Sequence, residues 1–192
     1  MTWLTEIASY GSIWLTLHLF ALVLGLGGAT YGDILLIRFM KDLKISHKEA
    51  DVIRTLSRVV LMGIILATVS GFFLFLPKQE ALMVSAKFQA KLGVFLILVI
   101  NGFLLHHYIL PRLVKFSFHQ DHYLWRKIIT LRHAGFVMGA ISIVSWYSVF
   151  LLGSFDPDWT LESFALVYGG VLFVAIVTAL LIERRVRLSM PT

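Results

Sequence analysis

Residues 14–33 read WLTLHLFALVLGLGGATYGD. Between Trp14 and Asp33 the only ionisable group in the aliphatic run is His18, apart from the weakly acidic Tyr31. At 1.5 Å per residue a helix of this length covers roughly 30 Å, the thickness of bilayer hydrocarbon. Four further runs have the same character, so five spans are expected, near 9–36, 58–77, 90–111, 133–154 and 162–183. The composition agrees, with 58% hydrophobic and only 15% charged residues, against about a quarter charged in soluble domains. Five spans and short connections use almost the whole of residues 1–192. The chain therefore reads as one all-α domain, an integral membrane bundle of five transmembrane helices.

The same pattern excludes several classes. The first span has no basic leader and no small-x-small cleavage site, so it is not a removable signal peptide. There is no cysteine, which rules out disulfides, thiolate ligands and iron–sulfur clusters. A net charge of +6 suggests nucleic acid in a soluble chain, but here the basic residues sit at span ends. Arg38, Lys41, Lys44, Lys48, Arg54 and Arg58 follow span 1. Arg112, Lys115, Arg126, Lys127 and Arg132 follow span 3, and Arg184, Arg185 and Arg187 follow span 5. The opposite side holds only Lys78, Lys87 and Lys91 with the acidic turn 154–163. The positive-inside bias then places the N-terminus outside and the C-terminus in the cytoplasm, as expected for a multi-pass protein of the inner membrane.

Boundaries follow the local chemistry. Pro77 and Pro111 close spans 2 and 3, and Asp156-Pro157-Asp158 marks the turn between spans 4 and 5. Residues 39–57 have helical spacing with Ser46 and Glu49 as a capping box, which predicts an amphipathic helix that lies at the interface or extends span 2. Residues 115–131 read as a second interfacial segment. The pair His119 and His122 within it lacks a third ligand and reads as solvated loop.

Ionisable groups inside a bilayer are costly, and each is a functional candidate. On a helical projection Ala21, Gly25, Gly28, Ala29 and Gly32 fall within about 80° of His18. This face has two readings. One is close helix packing of the small-xxx-small type; the other is a flat macrocycle such as haem on the smooth face, with His18 as ligand. Span 3 begins with Lys91 at a depth comparable to His18, where snorkelling toward water is its ordinary role. Near the other end stand His106 and His107. His106 projects about 60° from Lys91 and His107 nearly opposite, so His106 is the inward one if Lys91 faces the bundle. Asn101 flanks the same face and is placed to bond across helices. Span 4 opens with Arg132-His133. His106 and His133 are thus expected at similar depth, either as facing ligands of a six-coordinate haem or as separate interfacial histidines. Asp33 reads as paired with Arg38 or as a helix cap.

The histidine within W-x3-H, the glycine-rich continuation, the glycine-bearing second span and the K-L start of the third (residues 11–111) resemble the HemJ/CopD-like membrane proteins. That resemblance implies b-type haem, a protoporphyrinogen-oxidase type of activity, His18 as the first-span histidine and Lys91 as the third-span catalytic lysine. Copper uptake, the CopD-like activity, is disfavoured by outer loops without histidine and with Met83 as their one soft ligand.

The expected function is a membrane haem b redox protein, either porphyrinogen-oxidising or a quinone-linked electron carrier. The metal-binding candidates are His18, His106 and His133, and Gly25, Gly28 and Gly32 form the cofactor face. The expected partners are membrane lipid and quinone or porphyrinogen, with a homo-oligomer compatible and no nucleic acid. The contrasting class is a small-molecule or ion transporter, or a structural subunit without a cofactor. A proton-coupled carrier calls for a buried Asp or Glu in mid-span, and the spans read as holding none.

Overall fold

The structure, a computed structural model, describes residues 2–39, 47–109, 111–112, 125–155 and 158–188. The described residues are helical, without a strand. In chain order the helices are α1 (Thr2–Ser9), α2 (Gly11–Phe39), α3 (His47–Phe75), α4 (Gln79–Met83), α5 (Ala86–Leu104), α6 (Trp125–Ser154) and α7 (Leu161–Leu188). A 3-10 turn at Leu76–Lys78 precedes α4, and a π-helical turn at Leu105–Ile109 extends α5. Five of these helices are long and apolar enough to cross a membrane.

The ends of the helices follow from side chains. Pro77 lacks an N–H and enters the 3-10 turn in its first positions, where none is needed. Ser85 caps α5, its hydroxyl accepting from the Phe88 amide at 3.4 Å. Helix α3 begins at His47, so the helical part of the connection expected at 39–57 continues into span 2 rather than standing apart. Likewise residues 125–131 are the start of α6. Ser46, residues 115–124 with His119 and His122, and the Asp156-Pro157 pair lie outside the described residues.

Packing is antiparallel and in constant register. Along α2 and back along α3, Trp14 stacks on Phe73 at 4.1 Å, His18 meets Ser70, Gly25 meets Gly63 and Gly28 meets Val60. The closest point is Gly63, where an added Cβ would stand 2.8 Å from the Gly25 nitrogen. Only two glycines permit this approach, and close backbone contact of this kind is what associates helices where lipid is as apolar as leucine. Helix α6 is the hub, packing on α2, α5 and α7. The Trp146 ring sits directly over Gly25, in the space a Cβ would need. Leu22, Ile64, Val94, Leu98, Trp146 and Val149 form the main core around it. Asn101 donates to the Met138 carbonyl at 3.0 Å, joining α5 to α6 as its place on the inward face anticipated.

The outward faces are apolar. Val23, Met62, Leu96, Leu166 and Phe173 stand half or more exposed, Leu166 at 77%. Soluble monomers do not present such continuous apolar surface, which fits helices made to face lipid.

Candidate functional site

Three polar clusters lie between the long helices. The first surrounds His18. Ser70 is wholly buried, and its hydroxyl lies 2.6 Å from the Leu66 carbonyl and 3.0 Å from His18 Nδ1. A hydroxyl has one hydrogen, and a carbonyl can only accept. Ser70 therefore donates to Leu66 and accepts from His18 Nδ1–H, which leaves the lone pair on Nε2. Gly71 makes room for the ring, since an added Cβ would stand 3.3 Å from His18 Cε1. One turn away, the buried indole Nε1 of Trp14 has no hydrogen-bond partner among the described residues. Lys91 Nζ lies over Gly153, 3.6 Å from where a Cβ would be. Gly25 beside Trp146 and Asp33 beside Gly139 set the α2–α6 register, which brings Gly153 level with residue 18. Lys91 and His18 accordingly stand within electrostatic reach of one another.

The glycine face is a different matter. Gly25 is covered by Trp146, and an added Cβ at Gly28 would stand 3.0 Å from Val60. At both positions the space beside the backbone is taken by a protein side chain, and both make helix contacts. Of the three glycines, Gly32 alone has open space around it.

The second cluster is at the opposite end. His106 Nδ1 is 2.6 Å from the Ser57 hydroxyl, so this imidazole turns toward α3. His107 is exposed, donates to the Phe103 carbonyl at 3.2 Å and stacks on the Phe103 ring. The π turn that carries both is a helix distortion often found at functional positions. His133 takes another direction, its Nε2 lying 3.2 Å from Glu183 Oε2. A carboxylate oxygen only accepts, so Nε2 carries the hydrogen in this contact. The facing pair expected of His106 and His133 is replaced by two separate contacts, one to α3 and one to α7. Arg132 lies 3.2 Å from the other oxygen of Glu183, both side chains at most 3% exposed, and also donates to the Glu183 carbonyl at 3.1 Å.

The third cluster corrects the reading of Asp33. Helix α2 runs on past it to Phe39, so Asp33 is not a cap. It is 7% exposed, its Oδ2 has no hydrogen-bond partner among the described residues, and Arg38 points to the surface. Asp33 lines a cavity of about 270 Å³ between α2, α6 and α7. Asp33 and Glu183 are thus buried carboxylates near the ends of their spans rather than in mid-span.

Among the described residues no three His, Asp or Glu side chains gather as a site for a free metal ion. A porphyrin iron brings four ligands of its own and needs only one or two from protein. The donor set at the His18 end fits such a group: an imidazole of fixed tautomer, an unpartnered indole N–H and a cation suited to acidic side groups. Comparison of the chain with protein-family models, curated proteins and solved structures finds no match.

Proposed function

We propose that this chain is a multi-pass protein of the inner membrane, N-terminus outside, that binds b-type haem through His18 and works in electron transfer. The observation that carries the reading is the Ser70 contact, which holds His18 Nδ1–H and leaves Nε2 as the ligand atom. Ligating histidines generally have their second nitrogen held in this way. Lys91, level with His18, is the cation that would bind the acidic edge of the tetrapyrrole or an acidic substrate. The resemblance of residues 11–111 to the HemJ/CopD-like proteins points the same way, with porphyrinogen oxidation as the reaction and Lys91 as its catalytic residue. A quinone-linked carrier is the other form of this function. Haem, when bound, supplies one-electron redox chemistry; the chain supplies ligation, orientation and charge.

The absorption spectrum of protein purified after expression with ample haem is the test. A Soret band with α and β bands that sharpen on reduction is expected, and His18→Ala should abolish or change it. A colourless protein would sink the proposal, and an unchanged spectrum in His18→Ala would move the ligand to His106. A transporter is the second reading, and Asp33, buried and unpartnered beside a cavity, is what favours it.

A further inference from the structure

We propose that the cavity between α2, α6 and α7 binds a small organic cation, a primary ammonium carrying a short apolar body, with Asp33 as its counter-ion. This goes beyond the haem reading and does not depend on it. The cavity holds about 270 Å³, room for a ligand of a few carbons rather than a macrocycle. Its walls are Ile37, Phe136, Ile143, Val144, Ala175 and other apolar residues, with Asp33 and Thr178 the exceptions. The Thr178 hydroxyl donates to the Val174 carbonyl at 2.8 Å, so it offers no hydrogen to a ligand. Asp33 Oδ2 has no partner among the described residues, and Oδ1 rests against Gly139, 3.2 Å from the site of an added Cβ.

A buried carboxylate without a partner is costly to keep charged: it either holds a proton or meets a cation that donates to it. The described residues supply none. Arg132, one turn before the cavity residue Gly135, is committed to Glu183, as is His133. Arg38 points away to the surface. An ammonium that enters the cavity is then the partner this carboxylate lacks among the described residues. Inorganic ions do not suit the site, because a hard cation takes about six oxygen ligands and these walls present the Asp33 carboxylate and one threonine oxygen. An ammonium needs few acceptors, and its hydrocarbon part fills the apolar remainder.

The test uses full-length protein in phosphatidylcholine nanodiscs, titrated by calorimetry with n-hexylammonium and with n-hexanol, and with empty nanodiscs as the blank. Saturable binding of one n-hexylammonium is expected, roughly tenfold or more tighter than n-hexanol. Asp33→Asn, which keeps the side-chain shape, should remove that preference. Ala175→Phe, which fills the cavity and leaves the carboxylate, should remove binding altogether. The haem spectrum should be the same in Asp33→Asn as in the parent, so this proposal and the haem reading fail separately. Equal binding of the two probes, preference retained in Asp33→Asn, displacement by sodium, or no saturable binding of either probe would each overturn it.

Discussion

The Ser70 hydroxyl has a single hydrogen and three neighbours, the Leu66 and Ala67 carbonyls and His18 Nδ1, and this shortage fixes the state of His18. The two carbonyls can only accept, and the nearer, Leu66, takes that hydrogen, so the imidazole must be the donor. Ser57 and His106 share a similar contact at 2.6 Å, but no comparable acceptor among the described residues sets the direction there. The two histidines are thus not equivalent, although both lean on serines of α3. Ser70→Ala should weaken haem binding roughly 10–100-fold by freeing the ring to rotate, as measured by haem titration of the apoprotein. An unchanged affinity would mean that the serine does not position the ligand. His18 itself is legible in the sequence because it interrupts an apolar run. Ser70 is not, since a lone serine in a span satisfies itself on the preceding turn and carries no mark of a second partner. Asp33 misleads for a related reason: a carboxylate near the end of a hydrophobic run looks like a boundary. Only the length of α2 and the placement of α6 and α7 against it reveal the burial.

At the level of helices, the seam between α2 and α3 depends on backbone-to-backbone approach. Gly63→Ala would put a methyl 2.8 Å from the Gly25 nitrogen, and backbone cannot yield as a flexible side chain does. Overpacking of this order costs about 1–3 kcal/mol. The expected result is a lower midpoint of thermal unfolding in detergent, followed by helical circular dichroism. Gly27→Ala is the matched control, because nothing lies within 4 Å of its added methyl. There the better helix propensity of alanine should leave the midpoint equal or higher. The small-residue spacing of span 1 is by itself enough to suggest a helix contact. That Trp146 arrives from α6 to cover Gly25 cannot be read from spacing, because periodicity describes one helix at a time. The same limit applies to His106 and His133, which share a depth by connectivity but are turned to different neighbours by Ser57 and Glu183.

For the whole molecule, the five spans are legible because hydrocarbon thickness demands a length and a composition that few other folds share. Orientation rests on the asymmetry of basic residues. Arg132, counted among the loop charges, proves to be buried against Glu183, yet its removal leaves the bias strong. The chain contains no cysteine, so single substitutions report cleanly. Val84→Cys, between α4 and α5, should react with a membrane-impermeant maleimide added outside intact cells. Lys48→Cys should react only after the membrane is opened, and the reverse pattern would invert the topology. The constant register of α2 on α3 has a further consequence. Inserting one residue between His18 and Gly25 would turn everything before it by about 100° relative to the glycine seam. His18 would leave Ser70, Trp14 would leave Phe73, and the seam would hold as before. Over this stretch the chain can exchange many of its aliphatic letters but not their number: spacing, more than composition, is what descent must preserve here.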